Sequence, residues 1–95
     1  MSYRSEFPHY DTELIVPEGF FDNSWHNDVC PHVTKIYEDT KDCYVEANIW
    51  QEYRNPDMRE VEKRYTFQIE VNGNVIFQKE TDEWNEIQEL IKLLQ

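Results

Sequence analysis

Residues 61–80 read VEKRYTFQIEVNGNVIFQKE, and their pattern is the strongest indication of secondary structure in the chain. Polar and apolar residues alternate over 61–71, which is typical of a β-strand with one buried face. The apolar set is Tyr65, Phe67, Ile69 and Val71, and the polar set is Arg64, Thr66, Gln68 and Glu70. The dipeptide Asn72-Gly73 strongly favours a hairpin turn. The stretch therefore predicts an antiparallel hairpin whose second strand covers 74–80.

A second alternating segment lies upstream, at residues 43–53 (CYVEANIWQEY). One predicted face carries Cys43, Val45, Ala47 and Ile49, and the other carries Tyr44, Glu46, Asn48, Trp50 and Glu52. We expect the second face to lie beside the polar residues of 64–70 in the neighbouring strand. Residues 32–38 also favour a strand, and 39–42 read as a turn.

The last segment, residues 81–95, predicts a helix with one apolar stripe formed by Trp84, Ile87, Ile91 and Leu94. Thr81 is the predicted N-cap. The whole chain, 1–95, is then a single α+β domain. It has an irregular N-terminal arm and loop over 1–31, an antiparallel sheet of about four strands over 32–80, and a C-terminal helix packed on one face.

The N-terminal third contains two features that bear on the core. The apolar run at 13–16 (ELIV), which Pro17 ends, is either an edge strand or an anchor for the arm. Residues 17–31 have the composition of turns. The aromatic residues Phe20, Phe21 and Trp25 inside that loop indicate that it packs onto the core, with Trp25 as a core plug.

Charge limits the classes of partner. The chain has 20 acidic and 9 basic residues and a net charge of -11, and 11 of the acidic residues lie in 1–53. This balance disfavours direct binding of nucleic acid or of an anionic membrane, and it favours a basic protein partner. We see no signal peptide and no apolar run of ~20 residues, and therefore expect a cytoplasmic protein with reduced thiols.

The octapeptide WHNDVCPH, residues 25–32, concentrates reactive residue types. Extended backbone would spread His26, Asp28, Cys30 and His32 over ~20 Å, too far for one metal ion. A bent loop can still gather His26, Cys30 and His32 into a metal-dependent or thiol site. We favour a structural loop, and expect no metal, no cofactor and no catalytic residue.

The only basic cluster is formed by Arg54, Arg59, Lys63 and Arg64, and acidic residues are interleaved with it. Local salt bridges around a loop are the expected role of such a cluster. A small phosphate-binding patch is the alternative.

The segments GFFDNSWHNDVCP (19–31) and YRNPDMREVEKRYTF (53–67), with the acidic C-terminal helix, resemble small uncharacterised proteins of bacterial phages and plasmids. The resemblance covers most of 17–91 and implies no known activity. In size and charge the chain is similar to anti-CRISPR proteins, anti-restriction DNA mimics and nuclease inhibitors.

The sequence thus predicts a non-catalytic inhibitor that binds a basic, nucleic-acid-binding protein or complex, with DNA mimicry as one mode. The expected partner-binding residues are Glu38, Asp39, Asp42, Tyr44, Glu46, Trp50, Glu52, Asp82, Glu83, Glu86 and Glu89. Two alternatives stay open. One is a small enzyme that uses His26, Cys30 and His32, and the other is a homodimeric adaptor subunit joined through an open sheet edge or through the outer face of the sheet.

Overall fold

The computed structural model describes residues 2–94. Its elements are helix α1 (Tyr3–Glu6), strands β1 (Phe21–Asp22), β2 (His32–Asp39) and β3 (Tyr44–Gln51), a 3₁₀ turn (Pro56–Met58), strands β4 (Tyr65–Val71) and β5 (Asn74–Thr81), and helix α2 (Trp84–Leu93). Each strand pairs antiparallel with the next, in the order β1-β2-β3-β4-β5. The predicted α+β class, with an antiparallel sheet and a C-terminal helix, is confirmed.

The β4–β5 hairpin forms where the sequence predicts it. Asn72 and Gly73 both have positive φ, 52° and 84°, as the mirror-image turns of tight hairpins require. In the adjacent β3–β4 pair, Ala47 lies opposite Ile69 and Ile49 opposite Phe67. The predicted alternation is therefore confirmed within Tyr44–Gln51 and Tyr65–Val71, but residues 61–64, which were predicted to begin the second strand, belong to the loop before β4.

The hydrophobic core lies on one side of the sheet, which we call the core face. Helix α2 covers this face and buries Ile87 and Ile91 against the strands, and Leu14 and Phe20 from the N-terminal segment join the same cluster. The opposite side, which carries Glu46, Asn48 and Trp50 of β3, we call the outer face.

The sheet has five strands rather than about four, and residues 2–31 contain more regular structure than predicted. Phe21 pairs with Thr34 and Asp22 with Val33, which makes β1 an edge strand within the predicted loop. A two-residue strand and the four-residue α1 are too short to produce a detectable hydrophobic period.

The helix begins later than predicted. Thr81 is the buried last residue of β5, where it pairs with Tyr65, and the N-cap of α2 is Glu83. The hydroxyl oxygen of Thr81 still accepts a hydrogen bond, at 3.0 Å, from the backbone N–H of Glu83. Thr81 therefore makes a hydrogen bond of the kind that was predicted, but the bond lies in the turn before the helix and not at its N-cap.

Residues 13–16 are an anchor and not a strand. Leu14 is buried in the core, and the backbone of Ile15 forms two hydrogen bonds with the side-chain amide of Gln51, at 2.7 and 2.9 Å. The prediction that Trp25 plugs the core is wrong, because Trp25 is 47% exposed. Phe20 occupies the core instead, while Phe21 is 46% exposed.

Candidate partner-binding face

The outer face is polar because register places polar residues opposite one another across four strands. Three cross-strand rows contribute to it, and their members are Ile36, Glu46 and Glu70; Thr34, Asn48, Gln68 and Gln78; and His32, Trp50, Thr66 and Glu80. The expected neighbourhood of the polar β3 and β4 residues is therefore confirmed. Glu70 was identified as outward-facing from its period, although it was not among the expected binding residues.

A buried amide organises the centre of this face. The Thr34 hydroxyl donates to Asn48 Oδ1 at 2.5 Å, and Asn48 Nδ2 donates to Glu46 Oε2 and Glu70 Oε2, each at 2.8 Å. Asn48 is 2% exposed. Because both amide protons are used, the two carboxylates are held side by side by one neutral group.

The pair of carboxylates is electrostatically unfavourable in the isolated protein. Glu46 lies directly opposite Glu70, and like charges at such positions destabilise a sheet. Within residues 2–94, neither carboxylate has a cationic nitrogen within 4.0 Å. The nearby Tyr44 has a raised pKa, first from burial of the phenol and then from the negative charge of Glu46. An added positive charge at this place would therefore be stabilised.

The acidic residues on the α2 side have a different environment. Glu86 lies 3.2 Å from Lys79, Glu89 lies 3.7 Å from Lys92, and Asp82 lies 3.5 Å from Lys63. Each of these three carboxylates therefore has a lysine beside it, whereas Glu83 has no cationic nitrogen within 4.0 Å among residues 2–94.

The structure separates the eleven expected binding residues into groups. Tyr44, Glu46 and Trp50 lie on the outer face, while Asp82, Glu83, Glu86 and Glu89 belong to α2 and its preceding turn. Glu38, Asp39 and Asp42 are exposed at the β2–β3 end of the sheet. Asp39 pairs with Tyr44, next to the outer-face carboxylates. The set therefore does not form one continuous surface.

Glu52 needs a correction, because it does not present its carboxylate to solvent. The residue is 2% exposed, and its Oε2 accepts hydrogen bonds from the backbone N–H groups of Glu60 and Val61 at 3.1 and 2.9 Å. The expected alternation ends with β3 at Gln51, and the loop at 60–61 covers the residue that follows. Glu52 therefore ties down the loop after β3.

The side chains of the octapeptide WHNDVCPH lie in different environments and do not form one site. His26 is exposed and lies 3.0 Å from the Glu6 carboxylate, whereas Cys30 is fully buried. Burial raises the pKa of the Cys30 thiol far above neutral pH, which keeps it protonated. His32 stacks on Trp50 with a centroid distance of 4.8 Å. In the part of the chain that the structure describes, no three His, Cys, Asp or Glu side chains form a metal-binding group.

The basic cluster mostly binds backbone. The Arg59 guanidinium donates to the carbonyl oxygens of Tyr53, Arg54 and Glu62 at 2.6–3.2 Å, and Arg64 Nε donates to the Glu52 carbonyl at 2.8 Å. These bonds hold the loop between β3 and β4. Among the described residues, the expected local salt bridges are those of Arg59 and Lys63 with Asp82, at 3.9 and 3.5 Å, and not with the acidic residues interleaved in the cluster.

Two cavities open beside the His32–Trp50 stack. One, of about 300 Å³, is lined by Asn23, Ser24, Trp25, Asp28 and His32. The other, of about 210 Å³, is lined by Val29, Cys30, Trp50, Glu52, Val61, Thr66, Gln68, Gln78 and Glu80. Sequence reasoning missed both, because they depend on how the loop of residues 23–31 folds against β2 and β3.

Comparison of the chain with protein-family models, with curated proteins and with solved structures finds no match. The resemblance to phage and plasmid proteins stays a prediction. Neither helix among residues 2–94 has the length and apolar character that crossing a membrane requires.

Proposed function

We propose that this protein is a non-catalytic binding protein whose outer face docks on a basic, nucleic-acid-binding protein or complex and blocks it. The observation that carries the proposal is the Glu46–Asn48–Glu70 arrangement. Two half-buried carboxylates share one amide and have no cation beside them among the described residues. A lysine or arginine of a partner would relieve their mutual repulsion, so the charge pattern favours association over the free state.

Two further features support a protein partner. Exposed aromatic residues are common at the centres of interfaces, and Phe21 and Trp25 are each nearly half exposed at the β1 end of the sheet. The net charge of -11 steers a basic partner toward the molecule from a distance. Inhibition of the anti-CRISPR or anti-restriction type would follow if the docked surface of the partner is the one that binds nucleic acid.

The experiment compares two variants that remove the same number of charges from opposite sides of the sheet. Wild-type protein, Glu46→Gln/Glu70→Gln and Glu86→Gln/Glu89→Gln are immobilised and exposed to bacterial lysate at low and high salt. Captured proteins are identified by mass spectrometry, and the affinity of a purified captured protein is then measured.

We expect a basic nucleic-acid enzyme to be retained at low salt and lost at high salt. Its affinity should fall by about tenfold in the outer-face variant and stay near the wild-type value in the helix variant. Equal losses in the two variants would indicate nonspecific attraction to an acidic protein and would contradict the proposal.

A homodimeric adaptor is the second candidate, and the exposure of β5 favours it. This strand forms one edge of the sheet and leaves Val75 and Ile76 51% and 63% exposed. Open apolar edges are common sites of strand pairing between chains. Sedimentation equilibrium tests this candidate: a dimer that Ile76→Lys converts to a monomer would support it, and a wild-type monomer at high concentration would exclude it.

A further inference from the structure

The cavity of about 300 Å³ at the β1 end of the outer face has well-defined walls. The Asn23 N–H donates to the His32 carbonyl at 3.0 Å, and the His32 N–H donates to the Ser24 hydroxyl at 3.3 Å. A turn closes the other side, where the Asp28 N–H donates to the Trp25 carbonyl at 2.9 Å. The indole of Trp25 also contacts the ring of His26 edge-on at 5.8 Å.

The side chains of Asn23 and Asp28 present hydrogen-bond acceptors to this cavity. The side-chain N–H₂ of Asn23 donates to the Thr34 hydroxyl at 3.1 Å and lies 3.4 Å from His32 Nε2. The carboxylate of Asp28 is 31% exposed, and within residues 2–94 the only titratable nitrogen within 4.0 Å of it belongs to His32. A ligand that enters the cavity therefore meets a carboxylate and an amide oxygen beside an open indole.

His32 leaves the charge of Asp28 uncompensated. Its side chain is 9% exposed, and burial lowers its pKa, so the ring is neutral at neutral pH. Its Nδ1 lies 3.3 Å from Asp28 Oδ2 but is not aligned for a hydrogen bond, and it has no other partner in the described chain. The Asp28 carboxylate therefore receives neither a positive charge nor an aligned hydrogen bond from His32.

We propose that this cavity is a subsite for an arginine side chain of the partner, with the guanidinium paired to the Asp28 carboxylate and stacked on the Trp25 indole. The inference rests on the proposed function and names the chemistry that this end of the outer face recognises. Arginine fits better than lysine, because a guanidinium is planar, stacks on aromatic rings and donates to two acceptors at once. A lysine ammonium would use the carboxylate but would leave the indole face and the amide oxygen largely uncontacted.

The test uses peptides of nine arginines and of nine lysines as probes, with the full-length protein. Binding is measured by calorimetry, and the Trp25 indole N–H signal is followed by NMR. The variants are Asp28→Asn and Trp25→Ala, with Glu89→Gln as the control on α2. Trp25 and Asp28 both lie at the surface, and a thermal melt of each variant checks that the fold is retained.

We expect the arginine peptide to bind several-fold more tightly than the lysine peptide and to shift the Trp25 indole signal. Asp28→Asn should weaken the arginine peptide by about tenfold, and Trp25→Ala by about three- to tenfold. Glu89→Gln should leave both affinities nearly unchanged. The inference is overturned if the two peptides bind equally, if neither binds, or if Asp28→Asn has no more effect than the control.

The Glu46→Gln/Glu70→Gln protein separates this inference from the proposed function. If it loses affinity for the arginine peptide while Asp28→Asn does not, the outer-face proposal stands and the arginine subsite fails. If only Asp28→Asn loses affinity, the subsite stands and the shared-amide carboxylates are not the binding element.

Discussion

The two sides of the sheet both carry acidic residues, but they differ in whether lysine side chains lie close enough to form salt bridges with them. On the α2 side each of Asp82, Glu86 and Glu89 has a lysine within 4.0 Å. On the outer face, Glu46 and Glu70 face each other and share a neutral amide. A count of acidic residues treats the two sides alike, although the facing carboxylates of Glu46 and Glu70 have more to gain from an external cation than Asp82, Glu86 and Glu89, which already have lysines beside them. The proposed binding surface is therefore based on uncompensated charge and not on the number of acidic residues.

The largest expected effect on stability comes from truncating a core side chain of helix α2. Ile87→Ala removes a fully buried side chain of α2 from the core face. We expect the free energy of unfolding to fall by about 2–5 kcal/mol, measured by urea denaturation. Leu93→Ala, at a helix position that is 81% exposed, is the control and should change it by no more than about 0.5 kcal/mol. Similar losses in both variants would show that α2 does not pack as described.

Asn48→Ala breaks the outer-face arrangement itself. The change removes the acceptor of the Thr34 hydroxyl and the donor of both carboxylates, so we expect a loss of about 2–3 kcal/mol. Because the repulsion between Glu46 and Glu70 is then unshielded, the loss should be larger at low salt than at high salt. A loss below about 0.5 kcal/mol that does not depend on salt would contradict the network.

Protonation of His32 should weaken the fold at mildly acidic pH. Burial lowers its pKa below the ordinary value of 6.5, and the carboxylate of Asp28 opposes the shift without reversing it. The unfolded chain therefore takes up this proton at a higher pH than the folded chain does. The contribution to stability is complete above about pH 6.5 and is lost as the pH falls through the lower folded pKa.

Urea unfolding from pH 7.5 to pH 5 measures this dependence. His32→Phe is the matched control, because it keeps a ring against Trp50 but has no titrating group. The difference between wild type and variant isolates the proton on His32 from other titrations. A difference that stays constant across the range would show that His32 titrates alike in both states.

The smallest expected effects are changes in stability of opposite sign on the two sides of the sheet. Glu70→Gln removes a like-charge contact and keeps an acceptor for Asn48, so stability should rise by about 0.2–1 kcal/mol at low salt. Glu86→Gln removes the exposed partner of Lys79 and should lower stability by about 0–1 kcal/mol. Thermal melts at low and high salt compare the two variants, and a shift in the same direction for both would contradict the difference drawn between the faces.

Much of the candidate site follows from local patterns in the chain. The alternation at 43–53 and 61–71 places Glu46 and Glu70 on one face of the sheet, and Asn72-Gly73 brings the following strand back alongside β4. Side-chain period and turn preference are properties of a few neighbouring residues, so they are readable without knowledge of the fold. The same local rules place Ile87 and Ile91 on the buried stripe of α2.

The remaining features of the candidate site could not be predicted from local patterns, because they depend on contacts between segments that are far apart in the chain. Glu52 continues the polar alternation in sequence, yet the loop at 60–61 covers it and supplies its hydrogen bonds. Trp25 was expected in the core because it is a large aromatic residue. Phe20 is buried in the core instead, and Trp25 lines a cavity at the surface. The sharing of one amide by Glu46 and Glu70 required the register between β3 and β4. The periodic elements and their faces can therefore be read from local sequence, whereas the pairing of polar groups depends on long-range packing, which brings distant segments into contact.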